Sequence, residues 1–169
     1  FIPEMKEFQQ EFEHLKRLYA AGRVSLEGEW GMDRNWEPCD WKSAWQRLKL
    51  DALVFASETE AVAIDYKSGR KFGNEVKHGQ QLQSYQLNTF LRYPKLETVF
   101  AELWYLDQKE GENLTSQKFM RSQGLRFKPR FHQRGDALTT CNTWPPNPSR
   151  FACQWCRYGT KEGMTGDCK

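Results

Sequence analysis

The segment AVAIDYKSG, residues 61–69, decides how this chain is read. Ala61 to Tyr66 is almost wholly apolar, which predicts a strand buried on both faces. Side chains alternate along a strand, so Asp65 and Lys67 share one face while Ile64 and Tyr66 take the other. An acid and a lysine together at the end of an apolar strand call for an explanation. Burying charge costs several kcal/mol unless it is paired or bound to metal. Taken alone, the two residues are explained by an ion pair where the strand emerges into solvent.

A second acid changes that balance. Asp51 lies in RLKLDALVF, residues 47–55, which reads as the preceding strand from Leu48 to Phe55. Ser57 to Glu60 suit a tight hairpin, and hairpin pairing sets Asp51 nearly opposite Asp65 or Tyr66. Two carboxylates, waters and a substrate phosphate are the donor set that Mg²⁺ prefers. A nearby lysine can orient or deprotonate an attacking water, or neutralise charge on the transition state. In GQQLQSYQ, residues 79–86, Gln81 and Tyr85 stand four apart on one helical face. Their amide and phenol can bond a phosphate oxygen or a catalytic side chain, although Tyr85 also suits a core position.

Working outward, residues 4–21 carry Phe8, Phe12, Leu15, Leu18 and Tyr19 at helical spacing, with Gly22 as a stop. Val24 to about Trp30 reads as a strand, and MDRNWEPCDWKSAW, residues 32–45, as a long Trp-rich connection. After Lys67 comes a loop with Gly69, Gly73 and Gly79, then a helix from about Gln80 to Arg92 that stops before Pro94. Thr98 to Leu106 reads as a strand, Asp107 to Asn113 as a hairpin loop, and Leu114 to Phe119 as a fifth strand. The segment that follows reads as helical, interrupted by Pro129, and the tail from Trp144 as irregular. The expected fold is one α/β domain over residues 1–169: a helix, an antiparallel meander, a right-handed crossover through a helix, and a final hairpin. The sheet is mixed, with about five strands flanked by helices.

Composition fits this expectation. With 38% hydrophobic and 28% charged residues the chain reads as soluble and globular. No apolar run reaches the ~20 residues of a membrane span, and the first residues lack a signal-peptide pattern, so the expected location is cytoplasmic. The net charge of +3 says little about nucleic acid. Its distribution says more: between Gln117 and Gly135 lie Lys118, Arg121, Arg126, Lys128, Arg130 and Arg134, with His132 and no acid. Such a stretch can track a phosphate backbone, or it can be a solvated helix face. Of the five cysteines, Cys153, Cys156 and Cys168 cluster in the tail, a pattern better suited to metal binding than to a disulfide framework.

Taken in order, Asp51, Asp65-Tyr66-Lys67 and Gln81-Leu82-Gln83-Ser84-Tyr85 resemble the RecB-like branch of the PD-(D/E)XK nuclease superfamily, in particular its bacteriophage-type exonucleases. The resemblance spans residues 24–168 and implies a restriction-endonuclease-like core. It implies that Asp51, Asp65 and the main-chain carbonyl of Tyr66 hold Mg²⁺ or Mn²⁺, that Lys67 serves catalysis, and that Gln81 and Tyr85 organise the site or the DNA. Glu27, in VSLEGEW, matches an acid on the first strand of the branch, with Glu29 as competitor. The branch often adds a histidine from an early helix. The only early one here, His14, has neighbours that do not match that motif, so this ligand is expected upstream of Phe1 or not at all. The cysteine tail, residues 144–169, also resembles the branch. It implies that Cys153, Cys156 and Cys168 hold a [4Fe–4S] cluster, with Zn²⁺ as the alternative and Cys39, Cys141 or a residue upstream of Phe1 as fourth ligand. The implied function is DNA hydrolysis in recombination, replication or repair, on single-stranded or end-bearing DNA held by Lys118, Arg121, Arg126, Lys128 and Arg130. A helicase or recombinase is an expected partner, and a phage-encoded chain would work in the host cytoplasm. The competing expectations are a non-catalytic DNA-binding module with the same fold and a metal-cluster interaction protein.

Overall fold

A computed structural model of the chain describes residues 5, 8–68, 71–143, 153 and 156–158. Their contacts fall into two units, Phe1–Gly135 and Asp136–Lys169. The first holds a six-stranded sheet. Its elements are α1 (Gln9–Ala20), β1 (Val24–Met32), β2 (Pro38–Cys39), β3 (Gln46–Phe55), β4 (Glu60–Lys67), α2 (Glu75–Arg92), β5 (Thr98–Tyr105), β6 (Leu114–Met120) and α3 (Arg121–Gly124), followed by a 3₁₀ turn over Leu125–Phe127 and by α4 (Lys128–Thr140). Strand order is β2-β1-β3-β4-β5-β6, parallel only between β4 and β5, as the crossover through α2 requires. This is the mixed, restriction-endonuclease-like sheet expected, with one strand more. The addition, β2, is two residues long, pairs with the end of β1, and arises inside the Trp-rich connection.

The sheet has a core on each face. Toward α2, Leu53, Ala61, Ala63, Val99, Ala101 and Leu103 pack with Leu82, Tyr85 and Phe90. Toward α1, Val24, Ala52, Val54, Ile64 and Trp104 pack with Phe8, Phe12, Leu15 and Leu18. Phe8 stacks on Trp104 with ring centroids 5.0 Å apart. Tyr19, counted with the apolar face of this helix from its spacing, is exposed; Leu18 fills that position instead. Strand β4 sends alternate side chains into both cores, which explains its apolar sequence. Gly22, with φ 71°, turns the chain out of α1 into β1.

Helix α2 begins at Glu75, five residues earlier than its spacing predicts, because Gly79 lies within the helix and not in the loop before it. Its C-terminal end is tied down by Arg121. Nη1 of that residue donates to the carbonyls of Phe90 and Leu96, each at 3.1 Å, with Tyr93 O at 3.5 Å. The guanidinium also lies over the Phe90 ring, 5.7 Å from its centroid. A residue expected to hold DNA thus satisfies the Phe90 carbonyl in the last turn of the helix and ties it to the Leu96 carbonyl in the turn that follows. No helix among the described residues is long and apolar enough to cross a membrane.

Replacing Arg121 by Ala should lower the stability of this unit by about 2 kcal/mol, the scale of a half-buried hydrogen bond from a charged donor. Urea unfolding followed by far-ultraviolet circular dichroism would measure it, and an unchanged midpoint would refute the capping role.

Candidate active site

The hydrogen-bond ladder between β3 and β4 runs from Phe55↔Ala61 to Ala52↔Ile64 and stops there. One step further, the same register would face Asp51 with Asp65. At that point a side chain replaces the backbone partner: Tyr66 N–H donates to Asp51 Oδ2 at 2.6 Å. The N–H and C=O of one strand residue point to the same edge. Tyr66 O is therefore directed toward the β3 side, where no β3 backbone group is paired with it.

The alternation of β3 breaks at the same place. Leu48 and Leu50 share the α2-side core with Leu53, an odd number of residues away, while Ala52 and Val54 lie in the other core. Strand β1 breaks in step with it, since Trp30 and Val24 stand an even number apart yet occupy different cores. The β1–β3 register pairs Leu26 with Ala52 and Gly28 with Leu50, which leaves Glu27 at the level of Asp51. Glu27 has φ 48°, a left-handed conformation that favours glycine. Glu27 and Asp51 line one cavity of about 430 Å³ with Phe12, Leu15 and Tyr66. Glu29 is held elsewhere, paired with Lys49 at 2.6 Å on the surface. His14 lines a different cavity, with Glu102 and Trp104.

Asp65 is buried at the C-terminal end of β4, under the first half of α2. Its Oδ1 accepts the phenolic proton of Tyr85 and, at 3.4 Å, the amide of Gln81; that amide also donates to the Tyr85 oxygen. Burial pushes the Tyr85 phenol far up, and its hydrogen bond to Asp65 adds to the shift, so it stays a donor. Asp65 Oδ2 is buried and takes no well-aligned hydrogen bond, although Lys67 Nζ lies 2.6 Å away. The contact is an ion pair without hydrogen-bond alignment. Asp65, Lys67, Gln81 and Tyr85 are thus in direct contact, and Asp51 meets them across a single peptide N–H.

One residue absent from the motif stands near this cluster on the same helix face. His78 stands one helical turn before Gln81 on α2, and its Nδ1 lies 2.7 Å from the Tyr105 hydroxyl. The charges of Lys67 and Asp65 both act on it. The spacing of His78, Gln81 and Tyr85 could have found it, had α2 not been started after Gly79.

The basic residues do not form one track. Phe119 of β6 points into the α2-side core, so Lys118 beside it is on the opposite sheet face, over the ring of Phe100. Arg126 follows in the 3₁₀ turn, and Lys128 and Arg130 in the first turn of α4. Strand alternation separates what the linear sequence groups. In the second unit Cys141 is exposed while Cys153 and Cys156 are partly buried; none is in a disulfide. Cys168 lies outside the described residues. Among the described residues no three His, Cys, Asp or Glu side chains converge on a common metal position.

The PD-(D/E)XK nuclease superfamily matches residues 47–160, a stretch that contains Asp51, Asp65, Lys67, Gln81 and Tyr85. The match covers more than half of the chain, and the chain belongs to that superfamily, whose members are in general metal-dependent nucleases that use Mg²⁺ or Mn²⁺. Among solved structures the chain is similar to one described as "Crystal structure of SSO0001", at 13% identity and a TM-score of 0.40. The similarity covers 88% of this chain but 64% of that one, less than two thirds of its length. No curated protein matches the chain.

Tyr66 offers a titration that reports on Asp51. Burial first, then the Asp51 charge, pushes its phenol up to about 12. The unfolded chain, near 10, loses this proton first. The contribution to stability is therefore present below pH 10 and is lost as pH rises toward 12. Asp51→Asn should bring the Tyr66 titration down, followed by near-ultraviolet absorbance against a Tyr66→Phe control. An unmoved titration would place the Asp51 charge away from the ring.

Proposed function

We propose that this chain is a metal-dependent DNA nuclease, an exonuclease of the RecB-like, bacteriophage type that acts on single-stranded or end-bearing DNA in recombination, replication or repair. One observation carries the reading: two carboxylates on adjacent strands face the point where their ladder ends, with an ammonium group in contact with one of them.

The donor set fits a hard divalent cation. Asp51, Asp65 and the carbonyl of Tyr66 are oxygen donors, the type that Mg²⁺ and Mn²⁺ accept. Asp65 Oδ2 is buried with the Lys67 ammonium as its one close partner, so a cation bound there would share that oxygen with Lys67 or displace it. Bound there, the cation would lower the pKa of a water and offset phosphate charge. Tyr85 and Gln81 fix the Asp65 carboxylate through Oδ1, leaving its other oxygen for the ligand. Lys67 supplies a positive charge beside the phosphate and can orient the attacking water. Glu27 supports the site from the cavity that it shares with Asp51.

Arg126, Lys128 and Arg130 would hold the strand backbone after β6, with Lys118 reaching it from the edge of the sheet. Arg121 serves the fold before the substrate. The tail, with Cys153, Cys156 and Cys168, would hold a [4Fe–4S] cluster or Zn²⁺ as a structural clamp. A helicase or recombinase would supply the substrate ends.

With Mg²⁺ or Mn²⁺ the purified protein should shorten end-labelled single-stranded DNA. Asp65→Ala and Lys67→Ala should each lower the rate by at least about 100-fold, the scale of a lost charge-stabilising group, with an unchanged circular dichroism spectrum. Cleavage surviving both substitutions would exclude this site. Salt-dependent DNA binding with no cleavage at any metal concentration would make the chain a binding module. Iron and zinc analysis of anaerobically prepared protein decides the tail.

A further inference from the structure

The mechanism above uses Gln81 and Tyr85 but leaves unused the third polar residue on that face of α2. His78 lies within the electrostatic reach of the ammonium of Lys67 and the carboxylate of Asp65. Its ring is partly exposed, unlike those of Tyr85 and Tyr105.

What fixes the ring is a contact from the sheet. Tyr105, the last residue of β5, brings its hydroxyl to the imidazole. The proton of Tyr105 is then directed to His78 Nδ1, 2.7 Å away. A neutral imidazole that accepts at Nδ1 carries its own proton on Nε2. Among the described residues Nε2 has no hydrogen-bond partner. The outcome is an oriented N–H donor beside Lys67.

The electrostatics agree with a neutral donor. Burial first, then the charges of Lys67 and Lys77, holds the imidazole below its ordinary range, against the opposing pull of Asp65 and Glu75. A neutral donor can stand near the Lys67 ammonium without like-charge repulsion. It would still bind an anionic oxygen strongly, because the acceptor is charged.

We propose that His78, oriented by Tyr105, donates its Nε2 proton to a backbone phosphate of the nucleic-acid strand lying across Lys67, and so positions that strand for cleavage. This rests on the nuclease reading of the same site, and it names a substrate contact that the superfamily motif does not include.

The test uses the full chain and a single-stranded oligonucleotide. His78→Ala should lower kcat/KM by about 10- to 100-fold, the weight of one hydrogen bond to a charged acceptor. His78→Gln, whose amide can place an N–H near Nε2, should recover most of that loss. Tyr105→Phe should give a smaller loss, carried mainly in kcat, since the donor is present but no longer oriented. Urea unfolding of each variant separates these effects from a structural role. Equal losses in His78→Ala and His78→Gln at native stability would overturn the proposal, as would wild-type kcat/KM in His78→Ala.

A second readout does not depend on turnover. With chelator present, the His78 Nε2 resonance in a ¹⁵N spectrum should shift when the oligonucleotide is added. A shift in a protein that never cleaves DNA would keep this contact and sink the nuclease reading. Bound oligonucleotide with no shift would sink the contact even in an active enzyme.

Discussion

The place where β3 and β4 stop exchanging backbone hydrogen bonds governs the rest of this structure. Two strands inside a sheet normally continue until one of them runs out. Here both continue beyond Ala52 and Ile64, and an aspartate side chain takes over the role of a strand neighbour by accepting the Tyr66 N–H. That exchange opens the sheet at its centre, between two hydrophobic cores. It leaves the Tyr66 carbonyl without a β3 backbone partner, with Asp51 bonded to the N–H of the same residue and Asp65 just before it in the strand. The acid on β4 is then enclosed from above by α2, whose phenol and amide reach down to it. A buried carboxylate without those donors would cost several kcal/mol. The donors on the helix therefore stabilise the buried charge, while the helix itself is held by its apolar face.

Much of this was legible in the sequence because the decisive side chains lie on regular elements. The apolar run of β4 announced a strand covered on both faces, and the period of two put Asp65 with Lys67. The four-residue step from Gln81 to Tyr85 put an amide and a phenol on one side of α2. Pro94 ended that helix where expected. The illegible parts are those where regularity fails. RLKLDALVF carries two alternating patterns joined out of phase, and no local residue marks the junction. The left-handed Glu27 lies at the same level of the sheet, in a residue type that gives no warning of it. Gly79 reads as a loop because glycine is a poor helix former, yet tertiary packing overrides that preference. The same misreading hid His78. Arg121 and Lys118 sit in a basic run, but their roles depend on which way a strand turns each side chain.

The two faces of the sheet divide the labour. On the α2 side, aliphatic packing is interrupted by polar groups that converge on Asp65. On the α1 side, Phe8, Phe12, Tyr66 and Trp104 form an aromatic cluster. Tyr66 belongs to this cluster, so the two peptides that carry its N–H and its carbonyl are anchored between them by a large ring. The Tyr66 N–H and carbonyl are thus positioned by packing on the face opposite the Asp65 network.

The dihedral angle of Glu27 carries an evolutionary consequence. A side chain with a Cβ in this conformation gives up conformational stability that glycine would retain. Any chain selected for robustness alone should drift to glycine at this position, exchanging an acid for a relaxed backbone. Persistence of the glutamate would mean that selection acts on the carboxylate itself. The residue at position 27 is therefore a compact record of whether a descendant of this fold retains an acid against the preference of its own backbone.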